Sequence, residues 1–239
     1  MGSWTDLNLN AGRLSLNLAN GMLRYLCLDG VEVVRGLYFA LRDKNWNTIP
    51  EEVISVNCGI GENSFSINYQ TRYTDAREDI EFTVKGRITG SENSFIKWEF
   101  EGTAQSVFKR NRIGFCVLHP ASAAGAPCQI VHADGTSEEN VFPTLVSPHQ
   151  PLKNLKSIAY AGVISEFEGD VFEMEDQRNW TDASFKTYCT PLGLAFPVEL
   201  ARDDTVTQSV TFRVCDQGKT KFVEAAEDPS GRCRISSQA

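Results

Sequence analysis

Apolar and polar residues alternate with a period of two along most of this chain, and glycine-bearing turns punctuate the alternation. Successive side chains on a strand point to opposite faces, so the pattern confines the chain to half-buried sheet. The run 22–28, MLRYLCL, is followed by Asp29-Gly30 and then by 31–41, VEVVRGLYFAL. Asp-Gly between two such runs is the strongest short hairpin signal, because a type I′ turn needs positive φ at both central positions. The arrangement recurs as 128–132, Asp134-Gly135 and 136–142. Glu62-Asn63-Ser64-Phe65 and Glu92-Asn93-Ser94-Phe95 echo one another, each opening a strand after a turn; shared hairpin chemistry explains this better than a true repeat.

Further strands are expected at 14–18, 53–58, 65–69, 80–88, 95–101, 107–118, 157–161, 163–168, 171–175, 184–189 and 208–215. No segment carries the caps and periodicity of a three-turn helix, although short turns fit 45–50 and 140–148. Many short strands separated by turn signals predict an all-β protein, a large antiparallel β-sandwich with few or no helices. At 239 residues, 41% apolar, the chain buries a sizeable core without help from metal or disulfide. The expected division is one sandwich over 1–216 and a polar, turn-rich stretch over 217–239 that reads as a tail or the start of a linker.

Net charge is −8 and the lysines and arginines are scattered, which argues against nucleic acid and anionic membrane as partners. Seven cysteines occur without a CxxC, several inside apolar runs such as IGFCVL, so buried thiols in a reducing compartment fit better than a disulfide framework. The start, MGSWTDLNLN, lacks the basic and apolar regions of a signal peptide, and no run is long enough to span a bilayer. A cytoplasmic location is expected.

Several motifs fail. Gly218-Lys219-Thr220 resembles the end of a phosphate loop, but Arg213 stands where its first glycine belongs. Gly59-Ile60-Gly61 lacks the third glycine of a dinucleotide fingerprint, at Ser64. Neither GxSxG nor HExxH occurs. Asn179-Trp180-Thr181 is formally a glycosylation sequon, discounted for a cytoplasmic chain. No cofactor or metal is assigned: His119, His149, Glu173 and Glu175 are ligand types that only the fold could bring together.

The chemistry concentrates in 170–188, DVFEMEDQRNWTDASFKTY. Dense charge mixed with Trp, Phe, Met and Tyr marks a partly buried polar network, which is costly unless every member is paired. Val171, Glu173 and Glu175 alternate onto one face of a strand, with Phe172 and Met174 on the other. Two carboxylates about 7 Å apart on one face repel, the setting in which a general acid or base is made. Across a turn, Lys186 and Tyr188 share a face of the returning strand, and the tip carries Arg178, Asn179 and Trp180, a Trp beside polar groups suited to a sugar ring or to a domain contact. Upstream, Arg110 and Arg112 share a face of 107–118, where a guanidinium fork fits a substrate oxyanion or the acidic strand. His119, ending that strand before Pro120, and His149, held between Pro148 and Pro151, are placed for acid–base work or for bonding nearby backbone; His132, beside a hairpin turn, reads as surface.

The segments RNRIGFCVLHP (110–120), SPHQP (147–151) and GDVFEMEDQRNWTDASFKTY (169–188) resemble, in this order, the N-terminal part of D-apionate lactonase-like proteins, and GLYFALRDKNWNTIP (36–50) and PLGLAFPVEL (191–200) fit the same pattern. The resemblance implies a supersandwich of the galactose-mutarotase-like kind. It also implies a role in catabolism of a branched sugar acid, with a sugar acid or lactone as the small-molecule partner. Family chains are longer, with a barrel-like α/β domain after the sandwich, so this chain reads as the sandwich alone. Two expectations follow. In one, the sandwich opens a lactone, with Glu173, Glu175 or His119 as base and Arg110, Arg112, Arg178 or Lys186 facing the oxyanion or carboxylate, while His149, Asn179, Trp180 and Tyr188 complete the substrate contacts. In the other, it is a non-catalytic carbohydrate-binding or accessory sandwich docking onto the absent barrel, with an exposed patch at 178–180. One concave pocket holding these groups favours the first; a flat, self-neutralised surface favours the second.

Overall fold

The structure, a computed structural model, describes residues 2–180 and 183–215. The stretch expected as a tail, 217–239, lies outside the described residues, as do Thr181 and Asp182 of the sequon and tip. The strands are β1 (Leu7–Ala11), β2 (Leu14–Ala19), β3 (Met22–Leu28), β4 (Val31–Asp43), β5 (Glu51–Ile60), β6 (Phe65–Asp75), β7 (Ile80–Ser91), β8 (Phe95–Ala104) and β9 (Phe108–Pro120). They continue as β10 (Pro127–His132), β11 (Ser137–Val141), β12 (Leu152–Tyr160), β13 (Val163–Glu168), β14 (Phe172–Asp176), β15 (Ser184–Tyr188), β16 (Val198–Leu200) and β17 (Thr205–Val214). Among the described residues the only helical piece is a 3-10 turn at Ala121–Ala123, and no helix is long and apolar enough to cross a membrane.

Every strand pairing is antiparallel. One layer runs β1-β2-β3-β4-β9-β15-β14-β12. The other runs β5-β6-β7-β8-β17-β13. Strand β12 pairs with both β14 and β13 and so joins the layers along one side.

Alternation builds the core between them. Ile96, Trp98 and Phe100 of β8 and Ile113, Phe115 and Val117 of β9 are all buried on the inner faces. Phe100 meets Phe39 of β4 edge-on at 4.8 Å between ring centres and Phe115 at 5.1 Å, and Trp98 meets Phe115 at 5.2 Å. Burying each such ring contributes roughly 1.5–3 kcal/mol. The indole N–H of Trp98 donates to Tyr69 Oη at 2.8 Å, so the polar atoms of this pair are satisfied inside the core. Tyr69 also lies over Gly86 of the neighbouring strand, where a Cβ would stand 2.0 Å from the ring.

Asp29-Gly30 forms the expected turn, with φ of 50° and 84°. Asp134-Gly135 does not: only Gly135 has positive φ, and the loop is longer, closed by His132 N–H to Thr136 O. The Asp134 carboxylate accepts from the Thr136 backbone N–H and hydroxyl, and this local bonding holds Asp134 out of the left-handed region. Strands β1 and β16 had no counterpart in the sequence reading, and β12 starts at Leu152 rather than at 157. Short strands of three to five residues carry too little alternation to be read alone, and a register shift in β12 between Leu152 and Leu155 breaks its period.

Candidate functional site

The β14–β15 hairpin places the charged block as alternation requires. Phe172 and Met174 are fully buried in the core, and Glu173 and Glu175 face the other way. The register sets Glu173 opposite Tyr188 and Glu175 opposite Lys186. Strand β9 continues the row with Cys116 beside Tyr188, and β4 adds Tyr38 beside Cys116, then Ala40 beside Gly114 and Arg42 beside Arg112. These four strands floor a cavity of about 490 Å³ on the outer face of their layer. Glu175, Gln177, Trp180 and Lys186 line one side, and Arg42, Trp46 and Arg112 the other.

Three cations therefore face one cavity, and none is in an ion pair among the described residues. The Arg112 guanidinium lies 3.8 Å from the Tyr188 ring centre and 5.0 Å from that of Trp46, and its buried Nη2 has no hydrogen-bond partner. Lys186 Nζ sits 5.7 Å from the Tyr38 ring centre. Arg42 donates to Thr48 Oγ1 and the Trp46 carbonyl. Aromatic faces and neutral oxygens stabilise these charges without consuming them. The carboxylate facing them, Glu175, accepts from Gln177 Nε2 at 2.8 Å and contacts Tyr188 Oη at 2.9 Å. Glu173, 4% exposed, lies behind; its Oε1 accepts the Leu192 N–H at 2.7 Å and contacts Tyr188 Oη at the same distance. Burial, then the Glu173 hydrogen bond and the Glu175 charge, raise the Tyr188 hydroxyl far above its usual range, so the phenol keeps its proton.

A second hollow, about 500 Å³, lies on the outer face of the other layer. It is lined by Lys85, Arg87, Lys97, Glu99, Glu101 and Glu168 among others, and Lys97 is bound to Glu99 at 2.8 Å. Charges there offset one another, whereas those of the first cavity are left over.

The floor depends on a distortion of β9. Gly114 has φ of +145°, and the side chain of Gln208 fills the space beside it. Gln208 Oε1 accepts the Phe115 N–H at 3.1 Å, and its Nε2 donates to the Ile113 carbonyl at 3.2 Å and contacts Cys189 Sγ at 3.1 Å. This clamp fixes the backbone between Arg112 and Cys116.

Other expected site residues lie elsewhere. A register shift between Arg42 and Asp43 inserts one residue of β9, and Arg110 leaves the face of Arg112. It donates instead to Thr190 Oγ1, which donates to Asp170. Neither arginine pairs with Glu173 or Glu175. His119 is buried on the core side, with Nε2 3.0 Å from Thr187 Oγ1 and its ring edge-on to Phe142; burial pushes it down to about 4. His149 is exposed in its loop, away from the cavity lining. Arg178 folds back onto the buried Asp176 at 2.7 Å and over the Phe185 ring, leaving Asn179 and Trp180 exposed at the tip. Arg42, Trp46 and Gln208 were missed. Trp46 in the polar turn DKNWN carried a signal like that of Trp180; Arg42 becomes visible only through the β4–β9 register. Among the described residues no three His, Cys, Asp or Glu side chains cluster as a metal site, and the six described cysteines are free.

A two-layer antiparallel sandwich with a cationic, aromatic-walled cavity on the outer face of one layer defines the class of this domain, a large all-β supersandwich. The chain belongs to the family described as "D-apionate lactonase, N-terminal domain", which it matches over residues 4–217. It is 36% identical over 218 residues to the D-apionate lactonase of Brucella anthropi, covering 89% of this chain but only 36% of that protein. Among solved structures, a galactose 1-epimerase from Lactobacillus acidophilus is similar over 89% of this chain and 97% of its own, with a TM-score of 0.57 at 8% identity. A GH36 alpha-galactosidase from Geobacillus stearothermophilus is similar over 90% of this chain and 41% of its own, with a TM-score of 0.52 at 12% identity. Likeness at such identity concerns the fold.

Proposed function

We propose that the cavity binds a sugar lactone and assists its hydrolysis to the sugar acid, as part of a D-apionate-lactonase-type protein acting in the cytoplasm. The observation that carries this reading is the unpaired Arg112, held between Trp46 and Tyr188 with Lys186 and Arg42 beside it and Glu175 facing the same space. Glu175 takes a proton from water as the water oxygen bonds to the lactone carbonyl carbon. The tetrahedral oxyanion forms against Arg112 and Lys186. Its collapse breaks the ring C–O bond, and the departing alkoxide takes the proton back from Glu175. The carboxylic acid so formed gives its remaining water-derived proton to solvent, the carboxylate stays beside the same cations, and Trp46 and Trp180 offer flat faces to the sugar carbons.

The test is hydrolysis of D-apionate lactone by the 239-residue chain, with Glu175→Gln as control. The expected result is turnover that falls about 10²- to 10⁴-fold in the variant, the range for a general base. Turnover equal in the two proteins would sink the assignment of Glu175.

A second reading rests on a different observation. Trp180 is 70% exposed, and Leu194, Phe196 and Trp46 continue an apolar rim around the cavity mouth. Such a rim fits a further domain of the longer relatives, closing the cavity from above. Lactone turnover by a full-length relative, with none by this chain, would make the sandwich the accessory half of that site.

A further inference from the structure

One hydroxyl stands between two carboxylates. Tyr188 Oη is 2.7 Å from Glu173 Oε1 and 2.9 Å from Glu175 Oε1. A phenol has one proton to donate and lone pairs to accept with. It therefore donates to one carboxylate, and its contact with the other is a hydrogen bond only when that carboxyl brings a proton of its own. Both distances are those of hydrogen bonds. Among the described residues neither carboxylate is in an ion pair: Glu173 receives the Leu192 N–H and Glu175 the Gln177 amide. Glu173 and Tyr188 are buried, where a lone-pair clash or an unpaired charge is costly.

We propose that Glu173 and Glu175 share one proton through Tyr188, which relays it between the core and the cavity. In one arrangement the Glu173 carboxyl donates to Tyr188 Oη and the phenol donates to an anionic Glu175. In the other, Glu175 donates to Tyr188 Oη and the phenol donates to an anionic Glu173. The interchange moves the carboxyl proton to the phenol oxygen and the phenol proton to the opposite carboxyl. Two O–H bonds break and two form, and no proton leaves the trio. Glu175 is thereby presented to the cavity as a base or as an acid without exchange with bulk water. Glu173 and Tyr188 touch no reacting atom and are positioning residues. The catalytic sense of the relay rests on the lactone-hydrolysis reading; the shared proton does not.

The other titratable or charged groups around the trio are Lys186 on β15, Arg112 and Cys116 on β9, Tyr38 and Arg42 on β4, and Cys189 just beyond Tyr188. The three cations lie on the cavity side of the trio. Tyr188→Phe removes the relay and keeps the ring under Arg112.

The test is the carboxyl carbon-13 NMR titration of the whole chain with labelled glutamate, the two signals assigned with Glu173→Gln and Glu175→Gln. Sharing predicts that both carbons respond in the same pH steps in the unsubstituted chain, since coupled groups titrate as a pair. It predicts that this common response is lost in Tyr188→Phe. In Glu173→Gln, where an amide N–H replaces the carboxyl donor, Glu175 titrates in a single step. Separate titration of the two carbons in the unsubstituted chain, unchanged by Tyr188→Phe or Glu173→Gln, would overturn the proposal. Because this readout needs no turnover, an inactive chain with coupled carboxyls would discard lactone hydrolysis by the sandwich alone and keep the relay. An active chain with independent carboxyls would do the reverse.

Discussion

The guanidinium of Arg112 stacks 3.8 Å from the centre of the Tyr188 ring, and among the described residues no carboxylate pairs with it. In a chain of net charge −8, this leaves a partly buried cation whose Nη2 is a donor to spare at the wall of a cavity. On the proposed function, that donor meets the anionic group of the ligand. Arg112→Met is expected to weaken binding of a sugar-acid anion, D-apionate or D-gluconate, by roughly 10- to 100-fold, the value of a lost hydrogen bond to a charged group. Binding of a neutral sugar should change little. Calorimetry with the two ligand types checks this; equal losses for both would assign Arg112 to structure instead of charge recognition.

The β9 clamp is expected to tolerate no side chain at position 114. A Cβ there would stand 2.2 Å from Gln208 Oε1 and 2.4 Å from Cys189 Sγ, at a φ of +145°. Gly114→Ala should destabilise the domain by about 1–3 kcal/mol or more, from strain and overpacking together. Denaturant unfolding measures it, and an unchanged midpoint would show that Gln208 has room to move.

His119 is expected to make the domain labile in mild acid. Its folded value is pushed down to about 4 by burial, against an unfolded value near 6.5. The unfolded chain therefore binds a proton that the folded chain refuses. Stability falls as pH drops from about 6.5 to about 4 and loses no more from this group below that. The two values bound the loss at roughly 3 kcal/mol. His119→Gln should flatten this part of a stability–pH curve measured by urea unfolding; an equally steep slope in the variant would place the lability elsewhere.

Asp176 ties the tip beside the cavity to the neighbouring loop. Its carboxylate accepts from Arg178 Nη2 at 2.7 Å and from the Ser147 N–H at 2.9 Å, and Arg178 also reaches the Thr144 carbonyl. Burial alone would raise Asp176, but these hydrogen bonds outweigh it and hold the carboxyl below its ordinary value. With the folded value depressed, the stabilisation is present above the unfolded value of about 3.9 and is lost as pH falls through the folded one. Asp176→Asn should cost about 3 kcal/mol by leaving Arg178 without its charge partner. It should also expose the 144–147 and 177–180 segments to limited proteolysis at neutral pH. Resistance equal to that of the unsubstituted chain would refute the tie.

Much of the candidate site was legible in the sequence because strand parity is local. The faces of Phe172 and Met174 against Glu173 and Glu175, and of Lys186 and Tyr188, follow from a period of two alone. The parity of Phe115, Val117 and His119 likewise carries the signal that His119 belongs with the core. Arg110 was not legible, because the bulge that turns it away from Arg112 is a property of the β4–β9 register. Arg42 was not legible either, since 70 residues separate it from the arginine it faces.

Residue order alone carried the class of the fold, the Asp29-Gly30 hairpin, the polarity of the β14 and β15 faces and the family to which the chain belongs. These depend on side-chain direction and turn chemistry, which act over a few residues. Long-range packing aligns the polar faces of four strands distant in sequence, so that Arg42, Arg112 and Lys186 meet around Glu175 with no ion pair among the described residues. It also decided that one phenol bridges two carboxylates. Register between distant strands is set by packing across the whole sandwich, and no local pattern records it.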